Sequence, residues 1–126
     1  AIYGQSLYYV IMINRENRFK GRRDPRIVLK HGKTIRGNGV QLKYLHNKNS
    51  EQPRIAVTVS TKVTKLAPKR NRIRRRIYEV VRTNLDKVPD STDLVISVFD
   101  KNFATDKHSE VEEKTLKLIK QIPNKN

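Results

Sequence analysis

Five arginines stand within seven positions of this 126-residue chain, in the run R-N-R-I-R-R-R from Arg70 to Arg76. Each guanidinium carries a planar fork of N–H donors that matches the oxygens of a phosphate. Packed along one helix the five charges repel one another, and a bound polyanion relieves that repulsion. Asn71, inside the run, offers both a donor and an acceptor for a sugar hydroxyl, a base edge or a metal-bound water. Lys62, Lys65 and Lys69 lead into the run and extend the same patch. Side chains that make and break bonds are scarce by comparison. The chain has no cysteine, which excludes disulfides, thiolate zinc sites and cysteine nucleophiles. His31, His46 and His108 do not recur at metal-ligand spacing. Glu110, Glu112 and Glu113 fall in the first turns of a helix, where they suit its dipole better than they form a catalytic pair. The chemistry on offer is the binding of a polyanion.

The element that positions these arginines is a helix expected to begin near Arg70, after Pro68. At 3.6 residues per turn, Ile73, Ile77, Val80, Val81 and Leu85 form one apolar stripe that must face a core. Asn71, Arg75 and Arg82 fall opposite it, with Arg72 and Glu79 flanking. Arg70, Arg74 and Arg76 border the stripe and are expected to snorkel outward. A basic run that served only as a localisation signal would need no such stripe.

Charge is unevenly placed around this helix. The whole chain carries a formal +16, with 36% hydrophobic and 32% charged residues. Residues 15–82 hold 21 Lys and Arg against 4 acidic residues, whereas residues 83–126 hold 7 against 8. A basic body with a neutral tail points to nucleic acid engaged by one part of a single domain. The longest apolar run, residues 7–13, is far short of the ~20 residues that a spanning helix requires. It also lacks a basic lead-in, so the expectation is a cytoplasmic protein without membrane contact. Met12, the sole methionine, is the expected native start.

Periodicity supplies the rest of the frame. Pro25, after the N-cap candidate Asp24, opens a short helix to Lys30 that Gly32 ends. Gly37-Asn38-Gly39 reads as a turn, since it lacks the spacing and following helix of a phosphate-binding loop. Residues 40–44 alternate with period two. Residues 55–60 form a second strand with Ile55, Val57 and Val59 inward. Its other face, Arg54, Ala56, Thr58 and Ser60, is expected to leave the sheet surface open. Residues 94–99 make a nearly continuous apolar, hence central, strand. A last helix spans residues 107–121, with Val111, Thr115, Leu118 and Ile122 on one face and Pro123 as its stop.

The run R-I-A-V-T-V-S-T-K, then R-N-R-I-R-R-R-I and V-V-R, resembles the protein component of bacterial ribonuclease P. That family pairs a strand ending in V-S-K-K with an R-N-R helix about eight residues later. N-R-F-K and K-H-G upstream, and D-L-V-I-S-V downstream, extend the likeness across residues 14–122. The resemblance implies an α/β fold: an α+β two-layer sandwich with a central mixed four-stranded sheet and a left-handed β-α-β crossover, similar to a ribosomal-protein domain. Residues 1–13 would be a non-native or disordered leader, 14–122 the RNA-binding domain and 123–126 a tail. The resemblance also implies two partners, the catalytic RNA and the single-stranded 5′ leader of precursor tRNA. Magnesium and hydrolysis belong to the RNA; the protein itself would hold no cofactor, metal, catalytic residue or small-molecule substrate.

Carried over by position, the RNA-contacting set is Arg70, Asn71, Arg72, Arg74 and Arg75, with Ser60 and Lys62 at the strand end. Lys65, Lys69 and Arg82 join it from the charge pattern. The leader cleft would be lined by Pro25, Leu29, Lys43, Ala56 and Thr58. Thr61 departs from the family's first lysine, and Tyr78 stands where another basic residue is frequent. Aromatics usual on the first helix fall at Pro25 and Leu29. The cleft aromatic of the next strand becomes Lys43, unless a local bulge substitutes Tyr44. The alternative reading is a ribosomal-type structural RNA-binding protein, whose expected long basic extensions the neutral tail does not supply. A helix-turn-helix DNA binder would need a partner helix close in sequence. A stand-alone nuclease would need clustered carboxylates to bind metal.

Overall fold

Strand pairing sets the frame on which the arginine helix is mounted. The computed structural model describes residues 25–47 and 53–123, so the expectations for residues 1–13, Met12 and Asp24 lie outside the described residues. The elements run α1 (Pro25–His31), β1 (Lys33–Arg36), β2 (Val40–His46), β3 (Arg54–Val59), α2 (Ala67–Thr83), a 3-10 turn (Leu85–Lys87), β4 (Thr92–Val98), a second 3-10 turn (Lys101–Ala104) and α3 (His108–Ile119). The sheet order is β1-β2-β4-β3. β1–β2 and β2–β4 are antiparallel, and β3–β4 is parallel, with α2 as the crossover between them. This is the expected mixed four-stranded sheet.

The register lines up Ile35, Leu42, Ile96 and Val57 as one row across all four strands. With Val40, Tyr44, Ile55, Val59, Leu94 and Val98 they make the core face. On that face α2 packs against β3, α3 against β2, and the two helices against each other. Their contribution is Ile73, Ile77, Val80 and Val81 from α2, and Val111, Leu118 and Ile119 from α3, all buried. The helix stripe read from periodicity is therefore the core stripe. α1 packs on β2 and β4 and meets Lys43, which points to the opposite face; the Lys43 Nζ donates to the Leu29 carbonyl at 2.8 Å. Gly32 closes α1 tightly, its N–H on the Val28 carbonyl at 2.7 Å, and a Cβ there would sit 2.8 Å from the Tyr44 carbonyl oxygen. Tyr44 is buried on the core face in unbroken register, so no bulge turns it into the cleft.

One strand is added and two local expectations are corrected. β1 had no reading from the sequence, because K-T-I-R is a short exposed edge with a single half-buried apolar residue. α2 starts three residues before Arg70, since Pro68 is accommodated at the first turn, where its missing N–H has no intrahelical partner to lose. Leu85 falls past the helix end, in a half-buried 3-10 turn.

β3 is an edge strand, and α2 closes its open side. Tyr78 Oη accepts from the Val57 N–H at 3.1 Å, and Arg74 Nη2 donates to the Val59 carbonyl at 3.3 Å. Two backbone groups that would otherwise template another strand are thereby satisfied within the chain. Tyr78 is buried, and burial pushes its hydroxyl pKa above the usual tyrosine range.

Removing the hydroxyl by Tyr78→Phe orphans the Val57 N–H and should cost ~1–3 kcal/mol in denaturant melts. A raised folded pKa means that the hydroxyl's contribution is complete below the unfolded value of ~10 and fades as pH climbs toward the folded one. The stability gap between wild type and Tyr78→Phe should accordingly narrow above pH ~10. Ile77→Ala, by contrast, should cost ~2–4 kcal/mol at any pH through the cavity it leaves.

Candidate nucleic-acid interface

The rotation imposed on α2 by its buried side divides the basic residues into groups with different duties. Lys69, Arg72 and Arg75 are exposed, as are Lys62 and Lys65 in the connection from β3. Ser60 at the strand end is half-buried. No acidic residue occupies the first turn of α2, where the helix dipole is positive. Basic residues there forgo the stabilisation that acids would give, and the field they create attracts anions. Among the described residues these five exposed cations have no ion pair.

Arg70 and Arg74 do not snorkel outward as expected. They are only 8% and 1% exposed. Arg70 Nη1 donates to the Thr64 carbonyl at 3.0 Å, holding the loop onto the helix start. Arg74 Nη1 donates to Asn71 Oδ1 at 3.0 Å, beside its bond to β3. The apolar stripe is narrower than the arc that α2 buries, which continues past Val81 to Tyr78 and takes both arginines with it. Asn71 is half-buried with its acceptor occupied, which leaves its amide nitrogen as the uncommitted end. Arg82 is exposed but bridged to Glu79 at 2.5 Å, and the hydrogen bonds from Arg82 hold the Glu79 carboxyl below its usual range. Arg76 donates to the Phe103 carbonyl at 2.7 Å and to the Asp106 carbonyl, tying α2 to the second 3-10 turn. Burial and the charge of Arg72 lower its pKa.

The cleft set is more closed than the sequence implied. Pro25 is buried and Leu29 half-buried against the core. Ala56 is buried, and so is Thr58, whose hydroxyl donates to Ser97 Oγ at 2.9 Å. The face was expected to be open because its side chains are small or polar. Small side chains instead let their neighbours close over them. At one end Arg54 folds onto Asp93 in a buried two-pronged ion pair, 2.8 Å and 2.6 Å, on directly paired strand positions. Sequence reasoning missed Phe99, read as the end of a buried strand and in fact 59% exposed. A separate groove of about 400 Å³ between the β1–β2 turn and α3 mixes Arg36, Lys114 and Lys117 with Glu110 and Glu113. Among the described residues no helix is long and apolar enough to cross a membrane.

A four-stranded mixed sheet bearing a helix with one buried and one strongly basic face defines an α+β domain with a cationic surface helix. Residues 13–123 match the family model for ribonuclease P, and the chain belongs to that family. It is 36% identical over 87 residues to a ribonuclease P protein component from Pseudanabaena, covering 69% of this chain and 75% of the relative. A ribonuclease P protein component from Clostridioides difficile is 41% identical over 83 residues, covering 65% and 71%. The fold aligns with the RNase P protein from Thermotoga maritima at a TM-score of 0.74 and 26% identity, over 85% of this chain and 98% of that one.

The division of labour within α2 is directly measurable. Arg75→Ala should weaken RNA binding and leave the melting temperature unchanged, because the side chain is exposed and makes no ion pair among the described residues. Arg74→Ala should lower stability by ~1–3 kcal/mol, since it strands the Val59 carbonyl and the Asn71 amide. Equal melting temperatures for the two variants would contradict the assignment.

Proposed function

We propose that this chain is the protein subunit of a ribonuclease P holoenzyme, which grips the catalytic RNA and the 5′ leader of precursor tRNA and so promotes magnesium-dependent 5′ maturation. The observation that carries the reading is the basic surface of α2 and its lead-in: exposed Lys62 and Lys65 in the connection, and exposed Lys69, Arg72 and Arg75 on a helix whose other side is core. Family membership is its second support. Two RNAs brought together repel through their phosphates, and cations placed between them offset that repulsion while releasing condensed counterions. Arginine adds direction, because its fork fixes phosphate oxygens at a defined angle.

In this reading hydrolysis and its magnesium ions belong to the RNA. The chain's own task is positional: α2 seats the subunit, and the sheet face beside it tracks the leader. Of the expected lining, Lys43 is committed to the α1 carbonyl, so leader contact falls toward the open end of that face, near Ser60. A ribosomal-type structural role would use the same basic helix without any dependence on a leader.

Reconstitution with a bacterial ribonuclease P RNA separates the two readings. The protein should restore 5′ maturation of precursor tRNA at magnesium concentrations too low for the RNA alone. Absence of any stimulation would remove the processing role. Binding to the RNA should also weaken steeply with salt: five phosphate-facing cations give a log–log slope of about −4 to −5 from this patch alone. A slope shallower than about −2 would count against α2 as a phosphate surface.

A further inference from the structure

On the sheet face that carries Lys43, Thr58 and Ser97, exposure rises along β4. Asp93 and Val95 are buried, Ser97 is half-buried, and Phe99, the next residue on that side, is 59% exposed. Its N–H donates to the Gly39 carbonyl at 2.8 Å, one step beyond the last β2–β4 pair, Val40↔Val98. On the other flank the β3–β4 register ends at Val59↔Val98, so Ser60 follows beside Phe99. Its backbone neighbours in the sheet are thus a glycine and a serine, which offer little side chain to cover it, and the phenyl group forgoes the stabilisation that burial would bring.

An exposed aromatic could serve a protein partner or a base. The surroundings favour a base. The connection that leaves Ser60 carries the exposed Lys62 and Lys65 into the basic end of α2. The neighbouring Asp100 is turned to its own backbone, where its carboxylate caps the Asn102 N–H at 2.9 Å, and the next residue is the exposed Lys101. An exposed aromatic on a sheet end whose adjoining connections carry exposed lysines suits single-stranded nucleic acid, which offers a free base face along with its charge. A duplex keeps its bases stacked and offers none.

We propose that Phe99 is a stacking platform for an unpaired base of single-stranded RNA, at the open end of the sheet face. The inference rests on the reading of the chain as a ribonuclease P subunit, and it makes the bound base one of the leader. It also answers the aromatics absent at Pro25, Leu29 and Lys43: the π-face lies at the strand end instead of beneath α1.

The test uses the reconstituted holoenzyme and precursor tRNAs with either a leader of several nucleotides or a single leader nucleotide. The fluorescent base 2-aminopurine is walked through the long leader. One leader position should be quenched on binding to wild type and to Phe99→Tyr, and not on binding to Phe99→Leu. Phe99→Leu should bind the long-leader substrate about tenfold more weakly (~1.4 kcal/mol) and the one-nucleotide substrate unchanged. Because the ring is exposed, melting temperatures of the variants should match wild type. Long-leader affinity retained by Phe99→Leu, or lost equally for both substrates, overturns the proposal. A wild-type protein that stimulates the RNA without any Phe99 effect sinks this inference alone, whereas one that gives no stimulation sinks the parent reading.

Discussion

Two hydrogen bonds at the edge of β3 hold the rest of this molecule in place. Tyr78 takes the Val57 N–H and Arg74 gives to the Val59 carbonyl, so α2 is both the crossover between parallel strands and the cover of their exposed edge. An uncovered edge strand is a template for aggregation, and a long basic helix laid loosely over a sheet could rotate to several settings. Satisfying specific backbone groups from Tyr78 and Arg74 permits one setting. That rotation sends Arg72 and Arg75 outward and Arg70 inward. The exposed basic surface is therefore a consequence of how a sheet edge is closed.

Residues of one chemical type have been given several different tasks across β3 and α2. Arg70 and Arg74 are buried and donate to backbone carbonyls, and Arg54 is buried against Asp93. Buried guanidinium groups are tolerable only when such acceptors are supplied, because the desolvation cost is otherwise several kcal/mol, on the order of what the whole domain has in hand. Arg76 ties α2 to the turn before α3. Arg82 is neutralised by Glu79, the only acidic residue in the helix. Arg72 and Arg75 remain, and with the lysines that precede them they face water. Counting arginines in the run therefore overstates the charge left exposed on the helix. It also understates how far the fold relies on them.

The sheet face opposite the core shows a graded opening. The Arg54–Asp93 pair closes one end, α1 with Lys43 covers the β2–β4 side, and the strand ends at Ser60 and Phe99 stay accessible. A single strand of RNA leaving the basic end of α2 would meet that accessible end first. Among the described residues, charge and the exposed aromatic of this face thus lie at neighbouring positions in the chain's topology, although Ser60 and Phe99 are far apart in sequence.

The sequence by itself determined the class of the domain, the core and the basic helix. Apolar side chains at periods of two and 3.6 have to be buried together, and that requirement is local enough to read from spacing. It located β2, β3, β4 and α3, and it identified Ile73, Ile77, Val80 and Val81 as the buried side of α2. The R-N-R motif in its strand–helix context pointed to the family. What spacing could not reveal was the width of the arc that α2 buries, because that depends on β3 being an edge strand with unsatisfied backbone groups. Only the tertiary structure decided that Arg70, Arg74 and Tyr78 turn inward, that Ala56 and Thr58 are covered, and that Phe99 is not. Each of those outcomes depends on what the neighbouring strand or helix places alongside. Strand order, and with it the identity of every neighbour, is a non-local property that no window of sequence contains.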